Sequence, residues 1–89
     1  MILIVTYELK STLKDYSPFF DALKKNAGQW WHFMESTWIV STNFPPDDFA
    51  KLLYPHMTNA DSLFVGRLQK DYQGWLPADA WKWLNDRNF

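Results

Sequence analysis

Two carboxylates at the ends of predicted strands are the best candidates for chemistry in this sequence. Glu8 lies at the end of the first apolar strand, and Asp61 directly precedes the last one. If these strands pair antiparallel, the two carboxylates lie close together at one end of the sheet. Carboxylate oxygens are ligands that Mg²⁺ and Mn²⁺ prefer. The pattern gives Glu8 and Asp61 as a candidate metal site, with Glu8 as the candidate catalytic residue. The alternative is that both are solvated or pair with lysine.

The aromatic run Trp30-Trp31-His32 is the second candidate, because indole rings can stack on the bases of a nucleic acid. Successive strand residues point to opposite faces, so the two indoles cannot form one stacking platform. We therefore interpret them as packing residues. His32 has no second ligand at metal-binding spacing, which favours a hydrogen-bonded, half-buried side chain. The candidate interface residues are the aromatic side chains that could reach a partner, namely Trp30, His32, Trp75, Trp81 and Trp83.

The other polar residues show no catalytic spacing. Ser11, Ser17 and Ser36 lack the flanking glycines of a nucleophile elbow. The three glycines of the chain are too far apart to form a phosphate-binding loop. The sequence therefore favours a protein that is not an enzyme, although the carboxylate pair leaves that question open.

Composition limits the class of protein further. The chain has 89 residues, which is typical of a single domain, and no cysteine, which excludes disulfides and thiolate metal sites. A net charge of −1 lacks the basic surface by which most proteins bind nucleic acids strongly. The six Trp, seven Phe and four Tyr residues are an unusual load for this length, and they indicate a dense core, an interface or both.

The apolar run at residues 1–5 is too short for a signal sequence or a membrane span. We therefore expect a cytoplasmic protein without a membrane partner.

The elements that would position these residues follow from the hydrophobic pattern. Strands are predicted over residues 2–9, 29–34, 37–42 and 62–69, with a tight hairpin at Glu35-Ser36 between the second and third. In the second strand, Trp31 and Phe33 should face one side, and Trp30, His32 and Met34 the other.

Two helices are predicted between the strands. Pro18 starts the first helix and Gly28 ends it, while Asp47 and Asp48 favour a second helix start. The resulting order βαββαβ predicts an α+β fold of the ferredoxin-like type. Both helices would cover one face of the sheet, so the other face needs a different cover.

Residues 70–89 form a Trp-rich tail beyond this core of residues 1–69, within a single domain. Pro77 should start a short helix in which Trp81 and Leu84 share one side and Trp83 points elsewhere. Trp75, just before the helix, should anchor it. The tail could cover the open face of its own sheet, a second copy could cover it, or the tails could be swapped between two copies.

Several segments resemble the small CRISPR-associated adaptation subunit, the non-catalytic partner of the spacer integrase. The similar segments are VTYEL, STWIVST and NADSLFVGRL, which together span roughly residues 1–69. Short bacterial proteins labelled SinR-like are similar over nearly the whole chain, in the segments WWH, STWIV, GWLP and AWKWL. The first resemblance implies a homodimer that packs through its sheets and places Glu8 at the family's proposed metal-binding aspartate.

We therefore expect a small, dimeric, non-enzymatic binding or scaffold module related to the adaptation subunit. The homodimer is the first partner expected, with a nucleic acid or another protein as alternatives. Such a module needs no cofactor. One rival hypothesis is a nuclease, such as a toxin-like ribonuclease, that uses Glu8 with Mg²⁺ or Mn²⁺. The other is a protein-interaction adaptor that docks through its Trp-rich tail.

Overall fold

A four-stranded antiparallel sheet lies at the centre of the protein in the computed structural model, which describes residues 1–89. The elements follow in the order β1 (Ile2–Glu8), α1 (Ser17–Asn26), β2 (Gln29–Met34), β3 (Thr37–Ser41), α2 (Pro46–Leu53), a 3₁₀ turn (Tyr54–His56), β4 (Ser62–Arg67) and α3 (Ala78–Asn85). The strands lie side by side in the order β2-β3-β1-β4. The predicted α+β class is therefore confirmed.

The hairpin of β2 and β3 turns at Glu35-Ser36, as predicted, but β2 contains an irregularity. Trp31 pairs with Ile39, whereas Met34 pairs with Thr37, so β2 has one extra residue between these two pairs. Such a β-bulge reverses the facing of the residues beyond it. The prediction that Met34 shares a face with Trp30 and His32 is therefore wrong, and Met34 lies on the face of Trp31.

Both main helices begin where the sequence favours a helix start. Pro18 lies in the first turn of α1, and its last turn carries the basic residues Lys24 and Lys25 next to the negative end of the helix dipole. The first turn of α2 contains Asp47 and Asp48, which suit the positive end. These residues fix the ends of the two helices that cover one side of the sheet.

The helix-covered face of the sheet forms the larger core. Its buried side chains come from β1, β3, the two helices and the residue after α1, namely Leu3, Val5, Tyr7, Phe19, Leu23, Ala27, Trp38, Val40, Phe49 and Leu53. The indole Nε1 of Trp38 donates a hydrogen bond to the Tyr7 hydroxyl at 2.9 Å, so both polar groups stay satisfied inside this core.

The tail packs on the opposite face of its own sheet. Ile2, Trp31 and Ile39 form a second buried cluster with Ala80 and Leu84 of α3. The indole Nε1 of Trp31 donates a buried hydrogen bond to the carbonyl oxygen of Ala80, at 3.2 Å. The sequence left open what covers the second face of the sheet. In this structure the tail of the same chain covers it.

Two details of the predicted tail are wrong. Trp75 does not anchor the helix, because its side chain is 99% exposed. Trp83 does not point away from the sheet side but packs at the edge of the second cluster, with the Arg87 guanidinium 4.4 Å from its ring centroid. Ala80, which carries no sequence signal for burial in this position, is fully buried instead.

No helix of this protein combines the length and the apolar character needed to cross a lipid bilayer.

We predict that Leu84→Ala lowers the free energy of unfolding by about 2–5 kcal/mol, because it leaves a cavity where α3 meets the sheet. Chemical denaturation followed by tryptophan fluorescence measures this. Leu13→Ala is the matched control, since Leu13 is 97% exposed and its loss should change stability by less than about 0.5 kcal/mol. Equal effects of the two substitutions would contradict the packing of the tail on its own sheet.

Candidate functional site

The pairing of β1 with β4 brings the two predicted carboxylates to the same end of the sheet. Glu8 lies opposite Ser62, the neighbour of Asp61. The Glu8 carboxylate makes an ion pair with the Lys10 ammonium at 3.4 Å, and both side chains are more than half exposed. Such exposed pairs contribute little to stability, so Glu8 is a solvated carboxylate with an exposed lysine beside it.

Asp61, unlike Glu8, is held in place by hydrogen bonds, because its carboxylate accepts them from three donors. The backbone N–H of Lys10 donates at 2.8 Å and that of Thr58 at 2.9 Å. The Tyr16 hydroxyl lies 2.8 Å from both carboxylate oxygens. Desolvation raises the pKa of Asp61, but the hydrogen bonds outweigh it and lower the pKa to about 2. Asp61 thus ties the loop after β1 to the start of β4.

These contacts bear on the predicted metal site. No group of three or more His, Cys, Asp or Glu side chains is arranged to hold a metal ion. Both oxygens of Asp61 already accept hydrogen bonds, and a cation would have to compete with those donors. Glu8 is the freer ligand of the two. The assignment of Mg²⁺ or Mn²⁺ to this end of the sheet stays a prediction.

The aromatic residues Trp30 and His32 lie on the helix-covered side. The His32 ring stacks on the Trp38 indole at a centroid distance of 4.0 Å, and its Nε2 lies 3.1 Å from the carbonyl oxygen of Glu35. The predicted hydrogen bond of His32 is confirmed, but the side chain is exposed rather than half-buried. Trp30 is 43% exposed, with its ring 6.4 Å from that of Trp38. The ring of Trp38 contacts both of these side chains, although the sequence did not indicate Trp38 as a candidate.

The tail-covered face is only partly covered. Strand register defines a row of side chains across all four strands, because Thr6 lies opposite Phe64 and Thr37, and Thr37 lies opposite Met34. We call Phe64, Thr6, Thr37 and Met34 the open row. Phe64 is 68% exposed and Met34 is 50% exposed, while the two threonine hydroxyls lie 3.2 Å apart in the middle. Neighbouring strands are about 4.8 Å apart, so the row is roughly 14 Å long.

The next row along the same face lies under the tail, and the two do not fit closely together. A cavity of about 320 Å³ remains between the sheet and the tail. We call it the tail cleft. Ten of its thirteen lining residues are hydrophobic, among them Ile4, Trp31, Ile39, Leu76 and Trp81. Two exposed side chains also line the tail cleft, namely Trp75 and Met34, of which Met34 belongs to the open row.

The interface residues predicted from the sequence therefore fall on two separate sides. Trp30 and His32 lie with α1 on the helix-covered side, and Trp81 lies with the exposed Trp75 in the tail cleft. Sequence reasoning missed the open row. The alternation of facing along β4 could have indicated that Phe64 points to the tail-covered face. The position of Met34 on that face depends on the bulge in β2.

Comparison of the chain with protein-family models, with curated proteins and with solved structures found no match. The resemblances to the CRISPR-associated adaptation subunit and to SinR-like proteins thus stay predictions. Function is therefore inferred from the surfaces of the chain itself.

We predict that Asp61→Asn lowers the melting temperature at pH 7. The folded carboxylate has a lowered pKa, so its charge stabilises the fold above the unfolded pKa near 4, and this stabilisation is lost as the pH falls towards about 2. The difference in melting temperature between Asp61→Asn and wild type should therefore shrink between pH 5 and pH 2, as measured by circular dichroism. Asp71→Asn makes the same charge change at an exposed position and is the matched control. An equal loss of melting temperature at pH 7 in both variants would contradict this role of Asp61.

Proposed function

We propose that this protein is a small, non-enzymatic binding module that works as a homodimer and belongs to the ferredoxin-like class of the CRISPR-associated adaptation subunit. Two observations support the fold assignment. The elements β1 to β4 alternate with α1 and α2 as in a split βαβ arrangement. The strands lie in the order β2-β3-β1-β4, with buried residues of both helices in the same core.

The open row is the observation that carries the binding role. Phe64 and Met34 place large apolar side chains in solvent, on a part of the sheet that the tail leaves free. Phe33, 45% exposed on the edge strand beside Met34, extends the apolar surface. Large apolar side chains that stand in solvent lose their contact with water when a partner covers them, and apolar surface of this kind is typical of interaction sites.

The order of side chains in the open row suits a second copy of the chain. An aromatic ring stands at one end, a thioether at the other, and two threonines lie between them. Consider a two-fold axis that passes between the two threonines, in the plane of the contact and perpendicular to the row. It would place Phe64 of each copy against Met34 of the other. Methionine sulfur packs favourably against aromatic rings, and a two-fold interface needs this kind of self-complementary pattern.

Charge also fits a partner with the same surface. None of the four side chains of the open row is charged, and the whole chain has a net charge of −1. Two copies would therefore meet without strong repulsion.

The state of the carboxylates supports a non-enzymatic role. Asp61 accepts hydrogen bonds that connect two loops, and Glu8 pairs with an exposed lysine. Glu8 lines a surface cavity of about 490 Å³, but the charged group that it pairs with there is a lysine that is itself exposed to solvent.

We predict that the wild-type protein sediments as a dimer, with twice the monomer mass of 10.6 kDa, at protein concentrations of roughly 10–100 µM. Phe64→Lys should raise the dissociation constant by about tenfold or more, because it places a charge where an apolar ring would pack against Met34 of the other copy. Met34→Lys should do the same from the other end of the row. Sedimentation equilibrium over a concentration series measures both.

Leu13→Lys is the matched control, since Leu13 is also a large apolar side chain in solvent but lies in the loop before α1. It should leave the dissociation constant unchanged. Circular dichroism verifies that each variant is folded. A monomeric wild type over the whole concentration range would overturn the homodimer. A dimer that is unaffected by both lysine substitutions would overturn the open row as its interface.

A further inference from the structure

Met34 is the most exposed methionine of this chain. The chain has three methionines, and Met34 is 50% exposed. Met1 and Met57 are partly buried and pack against the larger core. An oxidant in solution must reach the thioether sulfur before it can react, so Met34 is the methionine that it reaches first.

Hydrogen peroxide converts a thioether into a sulfoxide. The sulfur lone pair attacks one oxygen of the peroxide and forms the S–O bond, while the O–O bond breaks. The other oxygen takes the proton of the transferred oxygen and leaves as water, so the sulfur is oxidised by two electrons and the peroxide is reduced. The product is a polar side chain in place of an apolar one, and methionine sulfoxide reductases reverse the change.

The side chains of the open row have no hydrogen-bond donor left for a sulfoxide oxygen. The Thr6 hydroxyl donates to the carbonyl oxygen of Ser36 at 3.2 Å. The Thr37 hydroxyl lies 3.2 Å from that of Thr6 and is the donor of this pair, because the Thr6 proton is already used. The side chain of Phe64 has no polar group. Water satisfies the sulfoxide oxygen of a monomer, but a second copy that covers the row would remove this water without replacing it.

We propose that Met34 is a redox-sensitive modification site, at which oxidation of the thioether to the sulfoxide by hydrogen peroxide releases the homodimer. The proposal rests on the homodimer of the open row and adds its regulation. A two-fold dimer contains the contact between Met34 and Phe64 twice. Each oxidised dimer would therefore bury two sulfoxide oxygens that lack a donor, and the same surface that favours association in the reduced protein opposes it after oxidation.

The site of oxidation is tested with hydrogen peroxide and peptide mass spectrometry. At protein concentrations below the dissociation constant of the dimer, the peptide that contains Met34 should gain an oxygen atom first, and those that contain Met1 and Met57 later. At concentrations above it, the oxidation of Met34 should become slower, because the second copy covers the thioether. The oxidation of Met57 should keep its rate, since Met57 packs against the larger core of its own chain.

Sedimentation equilibrium tests the effect of oxidation on association. Protein oxidised at Met34 should have a dissociation constant raised by about tenfold or more, and reductases for both sulfoxide epimers should restore the original value. Met34→Leu removes the oxidisable sulfur, so its dissociation constant should be the same before and after peroxide treatment. Met57→Leu is the matched control and should respond to peroxide as the wild type does. Circular dichroism verifies that the oxidised protein is folded.

The redox site is overturned if Met1 or Met57 is oxidised before Met34, or if protein oxidised at Met34 dimerises as tightly as untreated protein. A dimer of Met34→Leu that peroxide dissociates also overturns it. The homodimer fails in a different way, because the wild type would then sediment as a monomer before any peroxide is added. That result overturns the homodimer and the redox site together, whereas an untreated dimer that survives oxidation overturns the redox site alone.

Discussion

The central strand β1 has two apolar faces, and the rest of the structure follows from the need to bury both. Leu3, Val5 and Tyr7 point towards α1 and α2, while Ile2 and Ile4 point the other way. Two helices are enough for the first face. The second face depends on a tail that contributes only one short helix, and this tail reaches Ile2 and part of Ile4 but stops before Thr6. The cavity and the exposed surface both arise from this incomplete cover.

Much of the fold could be predicted because its signals are local. The four strands, the turn at Glu35-Ser36 and the helix starts at Pro18 and Pro77 all depend on residues within a few positions of one another. The bulge in β2 could not be predicted in this way. It results from how the hairpin pairs in three dimensions, and no residue type at Trp31–Met34 requires it. One extra residue was enough to move Met34 to the other face.

The candidate site was harder to predict for a related reason. Sequence patterns identified Asp61 as a carboxylate near Glu8 but not what it does. Two of its three donors are the backbone N–H groups of Lys10 and Thr58, which any residue type except proline could supply. Lys10 is 51 residues away along the chain. Trp75 shows the opposite case, because a large aromatic residue suggests burial, yet its position in the loop between β4 and α3 leaves it in solvent.

The bulge in β2 also protects the edge of the sheet against aggregation between copies of this protein. β2 is an edge strand of the sheet, and its sequence, QWWHFM, contains no Asp, Glu, Lys or Arg. An uncharged, aromatic edge with free backbone groups is a template on which another chain can add a strand and begin to aggregate. The extra residue between Trp31 and Met34 breaks the regular spacing of those groups. The distortion that exposes Met34 on the sheet face thus also makes the neighbouring edge a poor site for strand addition.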